Sequence, residues 1–116
     1  MADIKNATFI FPSTAPIGTP QLLSTSSFTT IHTVSASPSG KMDEVYVWVN
    51  NPTAATIVAE VRCGGVSSTT IMKISIPAYT TYVVVNGLRL GYGTDGTIAV
   101  KAQNCVVYCN VNALLN

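Results

Sequence analysis

The chain has 116 residues, 47% of them hydrophobic and only 9% charged, with a formal net charge of +1. That length supports one domain able to bury roughly two-thirds of the surface its unfolded chain exposes, and the near-neutral balance, with no run of Lys or Arg, removes the electrostatic attraction on which nucleic-acid affinity rests. Ordinary soluble domains are about 25% charged, so Ser, Thr, Asn and apolar groups must form much of this surface, as expected of a protein covered in an assembly.

In chain order, Asp3, Lys5 and Asn6 follow the initiating Met, and the apolar run Phe9 to Phe11 stops at Pro12. No signal peptide is expected from this pattern, and the protein is expected to be made and kept inside the producing cell. Residues 12–27, PSTAPIGTPQLLSTSS, are rich in Pro, Gly, Ser and Thr. Residues 1–27 are therefore predicted to form an extended N-terminal arm, either a floppy terminus or a segment that orders along a neighbouring subunit, leaving 28–116 as the folded domain.

From Phe28 the chain turns to β-branched and aromatic runs separated by turn residues. Strands are predicted at 27–34, at 44–50 with Val45, Val47 and Val49 opposite Tyr46 and Trp48, and at 57–63, where Ile57, Ala59, Val61 and Cys63 alternate with Val58, Glu60 and Arg62. The next are 69–76, then 79–85, which the dipeptide Asn86-Gly87 ends in a predicted tight turn before Leu88 to Leu90. Residues 97–102 and 105–111 complete the set. About eight short strands without a helical period give an all-β fold, an eight-stranded antiparallel β-sandwich, jelly-roll-like. No apolar run approaches the ~18 residues a membrane helix needs, and no membrane contact is expected.

Catalytic chemistry finds little material. His32 is the single histidine, so every His-dependent nucleophile arrangement would rest on it. Among Thr29, Thr30 and Thr33 it reads as a surface or interface residue without a catalytic role. Asp43 and Glu44 are neighbours that point to opposite faces of a strand and read as its solvated start. Asp95 lacks the companion oxygens of a calcium loop. Cys63, Cys105 and Cys109 are an odd number without zinc spacing, and Cys105 and Cys109, about 13 Å apart on a strand, cannot bridge each other. No catalytic residue, metal or cofactor is expected, and the protein is not expected to be an enzyme. The aromatic residues remain. Tyr46, Trp48, Tyr79, Tyr82 and Tyr92 are the candidate interface residues, because rings amid few charges bury large areas at low entropic cost.

Four segments carry a family resemblance: VYVWVNN (45–51), ATIVAEVRCGG (55–65), IPAYTTYVVVNGLRL (76–90) and TIAVKAQNCVVYCNV (97–111). Together, over residues 43–112, they resemble small β-sandwich virion proteins of tailed bacteriophages, the capsid cement or decoration proteins and related modules. In that pattern Asn50 closes a strand, Pro77 and Ala78 turn the chain, and Asn86, Gly87 and Leu88 form a hairpin. All are fold-forming. The Gly91–Gly96 loop, with Tyr92, departs from the short Gly-Asp turn of the family. The resemblance implies a virion protein on the capsid exterior that binds the major capsid protein and stabilises the head, as a homo-oligomer, the trimer being the expected form. A tail or portal adaptor, or fibre-associated module, is an alternative on the same fold, and a carbohydrate- or receptor-binding module using Trp48 and nearby tyrosines is another.

Overall fold

The structure is a computed structural model that describes residues 6–10, 21–23, 27–34, 42–63, 71–91 and 96–115. Nine strand segments lie among them: β1 (Asn6–Ile10), β2 (Gln21–Leu23), β3 (Thr29–Thr33), β4 (Met42–Asn51), β5 (Ile57–Cys63), β6 (Ile71–Ile76), β7 (Thr80–Gly91), β8 (Thr97–Lys101) and β9 (Cys105–Leu115). They form an all-β sandwich of two antiparallel sheets. One, sheet A, runs β1-β9-β4-β7 with β2 also on β9, and the other, sheet B, runs β3-β8-β5-β6.

The pairing is nested: β5 with β6, β4 with β7, β3 with β8, β2 with β9. Each pair encloses the next along the chain, so the sandwich is one long hairpin rolled until its two faces meet. Residues 1–27, expected as an extended arm, contribute β1 and β2 to this chain's own sheet. β1 lies antiparallel to β9 up to Val111, and β2 resumes on β9 at Val107. The two segments share one edge, which is why nine segments make sheets only four strands wide. Leu23 carries β2 into the core.

Burial alternates without exception along β4. Val45, Val47 and Val49 face the other sheet, fully enclosed with Ile31, Val61, Ile76, Ile98, Val100, Val107 and Val111. Branched side chains suit this layer because their single preferred χ1 fits a pleated surface, and burying each contributes about 1.5–3 kcal/mol.

Two expectations are corrected here. Asn86-Gly87 makes no hairpin turn, because β7 continues through it to Gly91. Val45 pairs Leu88 and Tyr46 pairs Asn86, leaving Gly87 as the extra residue of a bulge at φ 73°. A glycine followed by a strand serves a bulge as well as a turn, and the continued pairing with β4 selects the bulge. His32 is not a surface residue, nor Asp43 a solvated one: both are buried. A bulge in β3 between Thr30 and His32 places Ile31 and His32 inside together.

Asn51 ends β4 from within. Its Nδ2 donates to the carbonyls of Ala55 at 2.7 Å, Ile76 at 2.9 Å and Pro77 at 3.2 Å, while its Oδ1 accepts from Thr53 N and Oγ1. This fully buried amide ties the β4–β5 turn to the start of the β6–β7 turn and so positions Ala78 and Tyr79.

Candidate functional site

Titratable groups suited to chemistry are turned inward. His32 Nε2 lies 2.8 Å from Asp43 Oδ2, with 3% and 2% of the side chains exposed. One residue is on β3 and the other on β4, so the bond joins the two sheets. Burial pushes the thiols of Cys63 and Cys105 up, and that of Cys109 up to about 12. Thiols held protonated are weak nucleophiles and ligands. Among the described residues no three His, Cys, Asp or Glu side chains gather as a metal requires.

Apart from Val58 on the outer face of sheet B, the exposed large apolar side chains among the described residues fall on two surfaces, the first of which also carries the half-buried rings of Tyr46 and Trp48. The first is the outer face of sheet A. Register places Trp48 between Tyr108 of β9 and Val83 of β7, and Tyr46 between Asn110 and Asn86. On either side Asn50 lies between Val106 and Thr81, and Glu44 between Asn112 and Arg89. Leu22, opposite Val106 on β2, extends the apolar row and is 60% exposed. Tyr108 is 43% exposed.

Tyr46 is fixed from three directions. Its hydroxyl donates to Glu44 Oε1 at 3.0 Å, and Glu44 Oε2 accepts from Arg89 Nε at 3.3 Å. The hydrogen bond to Glu44 raises the phenol pKa above its ordinary value, with desolvation adding to the shift. Beside the ring runs Gly87, where a methyl group would meet Tyr46 Oη at 3.3 Å and Cε1 and Cζ at 3.5 Å. The Trp48 ring lies within 21° of parallel to it, centroids 6.2 Å apart. The side-chain amides of Asn86, Asn110 and Asn112 hydrogen-bond to no other described residue, whereas Asn50 donates to Thr81 Oγ1 at 2.9 Å.

The second surface is the open side of the sandwich, where β6 and β7 are the sheet edges. Met72 and Tyr82 sit opposite the fully buried Val61 and Val49, so they face the core side, yet they are 45% and 39% exposed. Leu88, opposite buried Val45, is exposed as well. At the turn joining these strands Tyr79 is 72% exposed at φ 58°. A left-handed backbone costs a bulky residue about 1 kcal/mol, and no burial of the ring offsets it.

Of the five candidate interface residues, the structure sets Tyr46 and Trp48 on the sheet A face and Tyr79 and Tyr82 on the open edge. Tyr92 lies outside the described residues. Sequence reasoning counted Tyr108 among the aromatic residues but left it out of the interface choice, and it missed Val83 and Leu22 on the face and Met72 and Leu88 at the edge. Period-two alternation could have oriented each on its own strand, but the neighbours across the sheet follow from pairing alone. No protein-family model, curated protein or solved structure matches the chain.

Proposed function

We propose that the chain is a bacteriophage virion structural protein, a capsid cement or decoration protein that seats on the major capsid protein at the capsid exterior and stabilises the head as a homo-oligomer, with a trimer as the working form. We read the nested pairing as a jelly roll, an architecture in keeping with viral shells. The observation that carries the proposal is the open edge, where Tyr79 stands out in a strained backbone beside the exposed core flank of Met72, Tyr82 and Leu88. Strain without compensation inside the subunit fits a residue whose partner is another chain. Burying such an edge gains ~25 cal/mol per Å², and weak single contacts become firm when many copies bind a repeating lattice.

The test combines sedimentation of the purified chain with its uptake by empty shells. An oligomer in solution and saturable uptake, both reduced by Tyr79→Ser, are expected. A monomer at every concentration together with no uptake by shells overturns the proposal.

A further inference from the structure

We infer that the outer face of sheet A is a binding platform for a short, neutral oligosaccharide, with Tyr46, Trp48 and Tyr108 as the stacking surface and Asn86, Asn110 and Asn112 as the hydroxyl-reading groups. The platform is separate from the open edge used in the assembly proposal and stands without it.

The chemistry of the face selects the ligand. Among the described residues its charges are Glu44 and Arg89, which are bonded to each other at one end, so the described part of the face favours a neutral molecule. Sugar rings carry electropositive C–H faces that suit the negative faces of aromatic rings. Their hydroxyls both donate and accept, as a side-chain amide does. Asn110 and Asn86 flank Tyr46 across the sheet, so amides with unused hydrogen-bonding capacity sit directly beside the ring. The platform is also preorganised. Tyr46 is held by Glu44 and runs beside Gly87, which limits the ordering cost of binding.

Size sets the length of the ligand. The rings occupy two strands about 4.8 Å apart and one step of about 7 Å between Tyr46 and Trp48 along β4, with Asn110 and Asn86 beside Tyr46. A ligand of about two sugar rings matches that patch.

Trp48 is the only tryptophan, so its fluorescence reports this site directly. The purified chain is titrated with neutral glucose-, galactose- and mannose-based di- to tetrasaccharides, and with sialyllactose as the anionic counterpart. A saturable change is expected with at least one neutral series and not with sialyllactose. Tyr108→Ala weakens it about tenfold, Asn110→Ala weakens it less, and Lys73→Ala on the opposite sheet leaves it unchanged. Should a variant fail to fold, amide NMR shifts of the wild-type chain with the same sugars decide, the expected changes clustering at 46, 48, 108 and 110. No response to any neutral sugar, or tighter binding of sialyllactose, overturns the inference. So does a Trp48 change on concentrating the protein alone that Tyr108→Ala abolishes, since the face then pairs with a second copy. Shell uptake is measured separately, so loss of sugar binding and loss of assembly are distinguishable.

Discussion

The two outer faces of the sandwich are built from the same alternation and carry opposite chemistry. On sheet B, Glu60 pairs Lys101 at 2.7 Å and faces Lys73 across β6, while Arg62 and Lys101 lie over the Phe28 ring at 4.1 Å and 5.4 Å. On sheet A the corresponding positions hold Tyr46, Trp48, Tyr108 and asparagines, with one ion pair at the end. Of the charged residues described, Glu60, Arg62, Lys73 and Lys101 belong to sheet B's face, Glu44 and Arg89 to sheet A's, and Asp43 to the interior. A low charged fraction is thus a local property. One face is hydrated in the ordinary way, and the other is left almost free of charge for contact.

Separating the two sheets is the most severe way to break this contrast. His32→Leu removes one hydrogen-bond partner of the buried Asp43 carboxyl group, and a loss of about 1–3 kcal/mol is expected in urea unfolding. The double change His32→Leu with Asp43→Leu recovers part of it, because the buried polar group on the other side of the bond is gone as well. Recovery of none of it means that the pair is not the link between the sheets.

Gly87→Ala tests the support of the sheet A face. It forces a side chain into a left-handed backbone and against Tyr46, at a cost of about 1–2 kcal/mol. Thermal unfolding should show that loss, and the emission of Trp48 should shift as its neighbour moves. A neutral effect on both readouts denies the close packing of ring and glycine.

Tyr79→Gly sharpens the difference between face and edge. Relief of the backbone strain is expected to raise the stability of the isolated chain by up to about 1 kcal/mol in urea unfolding while uptake onto shells falls. Unchanged uptake removes Tyr79 from the contact.

The smallest effect belongs to sheet B's exposed ion pair. The hydrogen bond and charge of Lys101, helped by Lys73, hold the Glu60 carboxyl below its ordinary value of 4.5 against some desolvation. A carboxyl depressed by folding adds stability that is present above the unfolded value and is lost as the pH falls through the folded one. Glu60→Gln should therefore change unfolding only slightly at pH 7, and the wild-type advantage should fade below about pH 4.5 and in high salt. A large loss at pH 7 in high salt contradicts a screened surface pair.

Much of the fold was legible because a strand announces itself locally. The alternation of Val45, Val47 and Val49 with Tyr46 and Trp48 oriented β4 correctly, and β5 followed the same rule. The same local logic misread Asn86-Gly87, since a positive φ is all the dipeptide states and both a turn and a bulge use it. It also misread His32 and Asp43. Polarity argues for the surface, and a partner 11 residues away at hydrogen-bond distance helps to make their burial tolerable. The candidate site was half legible: the rings were visible, but not their division between a face and an edge.

What the linear order of residues settled is therefore the part governed by nearest neighbours: an all-β chain, the positions of most strands after Phe28, and its low charge. Pairing across distance settled the rest. Tyr108 came to lie beside Trp48, residues 6–10 and 21–23 joined the sheet instead of leaving it, and Tyr82 and Met72 were stranded at an unclosed edge. A strand's own sequence orients its side chains above or below the sheet, but who stands beside it is set by the closing of loops between residues far apart in the chain.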